Sequence, residues 1–146
     1  SDWNEFVFLP GVFEGIKKLN DADYKVIIVT NQSGIAQKLM TVEQLERIHE
    51  NMVKCVSLTG GHIDQVYYCP HARDAGCNCR KPAVGMFLSA EKIYQIDKRK
   101  SFMIGDSMSD MQAAENYGIQ GILIPSASDF RKCIDSILDI SLKNFC

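Results

Sequence analysis

Tyr24-Lys25-Val26-Ile27-Ile28-Val29-Thr30, followed at once by Asn31-Gln32-Ser33-Gly34, is the stretch on which the architecture turns. Its apolar residues are β-branched and continuous, without the alternation of a half-solvated strand, so it reads as a strand covered on both faces of a parallel sheet. Upstream, Val12, Phe13, Ile16 and Leu19 recur at helical spacing after Pro10-Gly11, and the turn formers Asn20 to Asp23 close that helix. Downstream, Thr41 with Gln44 three residues on forms a capping-box pattern. It opens a long amphipathic helix marked by Val42, Leu45, Ile48, Met52 and Val56 and stopped at Gly60-Gly61.

The alternation continues to the end of the chain. Gln65 to Tyr68 is a short strand, and Pro82 is expected to open a helix carrying Met86, Phe87, Ala90, Ile93 and Tyr94. Ser101 to Ile104 is a strand, then comes a helix ending at Gly118, a strand from Gly121 to Ile124, and a closing helix from Asp129 to Ile140. Regular αβ alternation without repeats or linkers predicts an α/β fold: a Rossmann-like open parallel sheet with helices on both faces and right-handed crossovers, in one domain over residues 1–146. Ligands in such sheets bind beyond the carboxyl ends of the strands.

Between the third helix and the strand before it lies Tyr68-Cys-Pro-His-Ala-Arg-Asp-Ala-Gly-Cys-Asn-Cys-Arg-Lys-Pro82. Cys69, His71, Cys77 and Cys79 bring three sulfurs and an imidazole into one short loop, the ligand set of a closed tetrahedral zinc site. Reduced thiols or a disulfide are the alternatives. Cys77 and Cys79 are too near in sequence to pair with each other easily, and a disulfide would leave His71 unexplained. With four protein ligands the zinc would be structural, and the loop it steadies delivers Arg80-Lys81-Pro82.

The composition narrows the partners. A chain of 146 residues with a formal charge of −2 carries no basic surplus, which argues against nucleic acid or an anionic membrane. No apolar run is long enough to cross a bilayer. Three of the six cysteines fall in the loop, and the remaining Cys55, Cys133 and Cys146 are an odd set that suits a reducing compartment better than a disulfide framework. The expectation is a cytoplasmic monomer.

Three polar clusters fall at strand ends: Thr30-Asn31, Arg80-Lys81, and Asp106 with Asp110. A hydroxyl, a cation and hard carboxylate oxygens on one sheet edge suit a phosphate held against magnesium. Each also has an ordinary reading alone, with Asn31 as a turn residue, Lys81 as a solvated cation, and Asp106 or Ser109 as a helix cap.

The segments Thr30-Asn31-Gln32-Ser33-Gly34, Cys69-Pro70-His71 through Cys77-Asn78-Cys79-Arg80-Lys81-Pro82, and Gly105-Asp106 through Asp110 together resemble the haloacid dehalogenase superfamily, in its histidinol-phosphatase-type branch. The likeness runs from about Phe6 to Ile140. It implies a cap-free phosphatase of a sugar phosphate, heptose 1,7-bisphosphate foremost. Histidinol phosphate, another small phosphomonoester, a polynucleotide 3′-phosphate end or a non-catalytic zinc-stabilised phosphate-binding module stand as alternatives. It further implies that Thr30 and Asn31 grip phosphate, that Lys81 steadies nucleophile and phosphoryl group, that Arg80 touches the rest of the substrate, and that Asp106, with Asp110 as a second candidate, binds Mg²⁺.

One family element is not in the chain. The chemistry starts from an Asp-x-Asp-Gly at the end of an apolar strand, whose first aspartate attacks phosphorus and whose second is the general acid and base. Asp21-Ala22-Asp23 precedes its strand, lacks the glycine and reads as a turn. The nucleophile is therefore expected upstream of Ser1, and the chain by itself is expected to be inactive.

Overall fold

The sequence from Pro10 onward begins with a helix, α1 (Pro10–Asp21), in a computed structural model that describes residues 10–124 together with 135, 137 and 138. Strand β1 (Ile27–Asn31) follows, then α2 (Val42–Leu58), β2 (Gln65–Cys69), α3 (Gly85–Glu91), β3 (Phe102–Gly105), α4 (Met108–Tyr117) and β4 (Gln120–Leu123). The closing helix expected over residues 129–140 lies outside the described residues except at positions 135, 137 and 138, which are helical.

The described residues divide into two compact units. The first holds residues up to Ile28, Met40–Val66 and the residues from Ser126 on; the second holds Val29–Leu39 and Tyr67–Pro125. In the first, α2 begins as its sequence dictates: the Thr41 hydroxyl accepts from the Gln44 N–H at 3.1 Å, and the Gln44 side chain accepts from the Thr41 N–H at 2.8 Å. Leu45, Ile48, Met52 and Val56 face inward at i, i+3, i+4 spacing, although Val42 at the helix start remains exposed. Met52 and Val56 pack with Ile16 and Ile63 and with Val26, Ile28 and Val66 in one apolar cluster. Each such side chain withdrawn from water contributes roughly 1.5–3 kcal/mol. Gly60, at φ +90°, provides the left-handed turn that ends the helix segment. His49 is buried on α2, and burial lowers its pKa below the ordinary imidazole value.

The second unit is built on the parallel pair β3–β4, with Phe102 opposite Gln120 and Gly105 opposite Leu123. Phe87 of α3, Met103 of β3, and Ala113, Ala114 and Tyr117 of α4 form its core, with Val29, Val84, Ile96 and Ile119 against it. Phe87 and Tyr117 stack at 5.0 Å between ring centroids. The Tyr117 hydroxyl reaches the Glu91 carboxylate at 2.6 Å, so the aromatic pair also anchors the end of α3.

Among the described residues the strands form two pairs, β1–β2 and β3–β4. Two expectations are corrected. β1 is half-buried along its whole length, not covered on both faces, and starts at Ile27, after the Val26 N–H has been taken by the Asp64 carboxylate at 2.8 Å. The third helix starts at Gly85, not Pro82. The Ala83 N–H closes a turn onto the Arg80 carbonyl, and the Gly85 N–H goes to the Asn78 carbonyl, both at 2.8 Å, so local bonds of the cysteine loop hold the segment that propensity would have made helical. That helix also ends at Glu91, which leaves Ile93 exposed.

Candidate functional site

All three polar clusters belong to the second unit, and hydrogen bonds join them into one chain. At the end of β1 the Asn31 side chain accepts from the Lys81 N–H at 2.9 Å and donates to the Lys81 carbonyl at 3.3 Å. The Lys81 amine turns back to donate to the Val29 carbonyl at 3.1 Å and to Asp110 Oδ1 at 2.5 Å. Asp110 Oδ2 in turn accepts from the backbone N–H groups of Asp106 and Ser107 at 3.2 and 3.3 Å. The path Asn31, Lys81, Asp110, Asp106 therefore runs through direct contacts.

The Lys81–Asp110 pair is nearly enclosed, with side chains 10% and 8% exposed. Burial alone would push the Asp110 carboxyl up. The Lys81 ammonium, with the hydroxyl and N–H of Ser107, outweighs it and holds the group below the usual carboxylate range. Ser107, not Asp106 or Ser109, caps α4: its hydroxyl accepts from the Asp110 N–H at 3.2 Å while Asp110 returns the bond. Asp106 is thereby left outside the capping arrangement. It is exposed, and among the described residues its carboxylate has no side-chain partner, so its oxygens are free for a hard cation. Asp110 differs: Lys81 and two amides occupy its oxygens, an arrangement for holding the site together.

Thr30 precedes Asn31 on β1. Its Oγ1 accepts from the Gln32 side-chain amide at 3.1 Å and donates only across a long 3.5 Å contact to the Asn31 carbonyl. Gln32 was named in the sequence only as part of a motif. Its backbone N–H also donates to the Cys69 carbonyl at 2.8 Å and ties this turn to the cysteine loop. Arg80 is half-buried, and its Nη1 is enclosed without an acceptor among the described residues. The Lys81–Pro82 peptide is cis, and the Pro82 carbonyl accepts from Asn116 of α4 at 3.0 Å.

The cysteine loop gathers as expected. Donor atoms of Cys69, His71, Cys77 and Cys79 all lie within 4.8 Å of one another. The separations are 3.6 Å between the Cys69 and Cys77 sulfurs, 3.3 Å between the Cys69 sulfur and His71 Nδ1, and 3.1 Å between Nδ1 and the Cys79 sulfur. A tetrahedral ion with metal–sulfur bonds of about 2.3 Å requires edges of roughly 3.5–3.8 Å, so the donors are set at nearly that size. Burial pushes the Cys77 thiol up, but the N–H groups of Arg80 and Cys79 and the neighbouring thiols bring it down to about 6. Burial and the Cys69 and Cys77 thiols push Cys79 up to about 12. A bound cation would supply the charge that lets all three thiols ionise together.

A lysine, a threonine and aspartates at strand ends of an α/β unit, beside a Cys₃His loop, have the pattern of a phosphatase domain of the haloacid dehalogenase type. The chain belongs to the polynucleotide kinase 3 phosphatase family, whose model matches residues 1–133. It is 37% identical over 125 residues to the D-glycero-beta-D-manno-heptose-1,7-bisphosphate 7-phosphatase of Bordetella bronchiseptica, covering 86% of this chain and 70% of that one. The enzyme of the same name from Photorhabdus laumondii is 42% identical over 118 residues, covering 76% of this chain and 63% of that one. The crystal structure of D,D-heptose 1,7-bisphosphate phosphatase from B. bronchiseptica with magnesium and phosphate superposes with a TM-score of 0.86 at 31% identity, covering 94% of this chain and 87% of that one. These relatives are phosphoric monoester hydrolases by name.

Proposed function

We propose that this chain forms the phosphate- and metal-binding part of a Mg²⁺-dependent phosphatase acting on a sugar phosphate, D-glycero-D-manno-heptose 1,7-bisphosphate foremost. The observation that carries the reading is the unbroken chain of contacts from Asn31 through Lys81 and Asp110 to the Asp106 turn, which gathers a cation and a free carboxylate in one unit. The substrate names of the relatives, and the magnesium and phosphate in one related crystal, support the choice of ligand.

In this reading Thr30 donates its hydroxyl to a phosphoryl oxygen, Lys81 neutralises charge on the transferring group, and Arg80 faces the remainder of the sugar. Asp106 holds Mg²⁺, which screens phosphate charge when bound. Cys69, His71, Cys77 and Cys79 hold a structural Zn²⁺, the soft-donor set suiting that ion over magnesium. The nucleophile is an aspartate from an Asp-x-Asp-Gly strand upstream of Ser1, and attack through it splits hydrolysis into two displacements by way of an aspartyl-phosphate. None of the site's described carboxylates is placed to take that part: Asp110 is committed to Lys81, and Asp106 is the metal ligand. The formal charge of −2 weighs against a nucleic-acid end and favours a small-molecule substrate. Cys55, unpaired among the described residues, fits the cytoplasm. Among the described residues no helix is long and apolar enough to cross a membrane.

The test is phosphate release from the heptose bisphosphate by the full-length protein and by the 146-residue chain. The full-length protein is expected to need Mg²⁺ and to lose turnover in Lys81→Ala and Asp106→Asn, with zinc content unchanged. The chain alone, its mass confirming Ser1 as the first residue, is expected to bind phosphate and Mg²⁺ without turnover. Enzyme-like hydrolysis by that chain would refute the upstream nucleophile, and full activity in Lys81→Ala would refute the site.

A further inference from the structure

The Asn31 side chain meets both polar groups of one distant backbone residue: Oδ1 accepts the Lys81 N–H, and Nδ2 donates to the Lys81 carbonyl. We propose that Asn31 is a positioning residue, which sets the course of the Lys81 backbone and through it the aim of the Lys81 amine, and which does not itself touch phosphate. This inference rests on the phosphate site described under Proposed function and assigns Asn31 a different part in it.

A neighbouring strand satisfies the N–H and C=O of a single residue by offering one acceptor and one donor side by side. A carboxamide is the side chain that carries the same pair, and Asn31 places it against a loop residue fifty positions away. The orientation of the amide follows from the contacts, since turning it over would set N–H against N–H and oxygen against oxygen. An aspartate could keep only the bond from the Lys81 N–H, and an alanine would keep neither.

Lys81 is thus held at both ends by one strand. Asn31 takes its backbone, and the carbonyl of Val29, two residues earlier on β1, takes its amine, which Asp110 secures from the other side. A lysine side chain has many rotamers, and an amine aimed at phosphate must have most of them removed before the ligand arrives. Val29 and Asp110 remove them at the tip. Asn31 removes the freedom at the base, where a small shift of backbone would swing the tip out of line.

One hydrogen on Nδ2 remains beyond the bond to the Lys81 carbonyl, so direct contact with phosphate is the competing role and the experiment must separate the two. The full-length protein, labelled with ¹³C,¹⁵N-lysine, gives a Lys81 side-chain signal assigned by its loss in Lys81→Arg. In Asn31→Ala this signal should move toward those of exposed lysines, and in Asn31→Asp, which keeps one bond, by less. Zinc content and the far-ultraviolet spectrum serve as controls for folding. Titration with inorganic phosphate in Mg²⁺ should show affinity about tenfold weaker in Asn31→Ala, and that loss should vanish when Lys81→Ala is already present. An unmoved Lys81 signal in Asn31→Ala overturns the proposal, as does a loss that adds in full to that of Lys81→Ala, the mark of an independent contact with phosphate. If Thr30→Ala and Lys81→Ala both leave phosphate affinity unchanged, the phosphate site itself is wrong, and the lysine signal still decides the role of Asn31.

Discussion

The Cα of Gly105 lies directly against the carboxyl group of Asp110, so closely that a Cβ added at Gly105 would overlap Asp110 Oδ2, Cβ and Cγ. Those atoms belong to a nearly enclosed side chain, pinned by Lys81 on one oxygen and by two backbone N–H groups on the other. Asp110 has no room to yield. Gly105→Ala is therefore expected to lower stability by about 1–3 kcal/mol, as overpacking does, and to weaken phosphate binding by turning Asp110 away from Lys81. Thermal unfolding and phosphate titration of the variant check this, and unchanged values in both would show that the turn relaxes freely.

The Asp110 carboxyl gives a pH dependence of definite sign. Its folded pKa lies below the ordinary carboxylate value of about 3.9, so on acidification the unfolded chain takes up a proton before the folded one. The stabilisation is present above about pH 4 and is lost as pH falls through the folded value. Asp110→Asn should unfold at lower temperature at pH 7, because removing one partner of a buried pair costs about 3–5 kcal/mol. Its stability should fall less steeply between pH 5 and 3, given as approximate limits around the carboxylate range. Adding Lys81→Met to that variant should recover part of the loss. Parallel acid profiles in wild type and Asp110→Asn would remove Asp110 from this account.

Gln32 offers a separate test, because its side-chain amide donates to the Thr30 hydroxyl, whose own hydrogen makes only a long 3.5 Å contact with the Asn31 carbonyl. Gln32→Ala should release the Thr30 hydroxyl to tighten that contact and withdraw from phosphate. Phosphate affinity should fall by about threefold to tenfold, the worth of one hydrogen bond, and the same substitution in a Thr30→Ala background should cost little more. Equal losses in the two backgrounds would mean that Gln32 acts without Thr30.

What could be read from the sequence was local. The Thr41–Gln44 capping box and the stop at Gly118, with φ +95°, depend on residues within one turn and stand where the sequence puts them. The four Cys and His side chains that could hold a metal lie close in sequence and meet in space for the same reason. The start of α3 is not legible at Pro82, which favours a first helical turn, because the Asn78–Gly85 bond decides the path. The pairing of Asn31 with Lys81 spans fifty residues, and nothing in either segment announces it. Likewise the need for glycine at position 105 comes from a side chain folded back onto it, not from a left-handed backbone.

The last prediction concerns removal of metal from the cysteine loop. Cys69 is fully buried at the end of β2, its carbonyl takes the Gln32 N–H, and the loop that continues from it delivers Arg80 and Lys81. Among the described residues the loop adds no large apolar side chain to the buried core between Cys69 and Met86, so a zinc ion held as proposed would add to its few local hydrogen bonds most of the folding energy of this segment. A chelator strong enough to extract zinc, or Cys79→Ser, should therefore lower the unfolding temperature and weaken phosphate binding together, since both the Thr30–Gln32 turn and Lys81 are attached to the loop. Asp106→Asn should do the reverse: magnesium affinity falls while zinc content and unfolding temperature stay near wild type, because that carboxylate is exposed and outside the hydrogen-bonded chain of the site. Metal analysis by mass spectrometry beside calorimetry separates the two cases. If zinc can be stripped with no change in unfolding temperature, the loop holds its own shape and the metal is not its support.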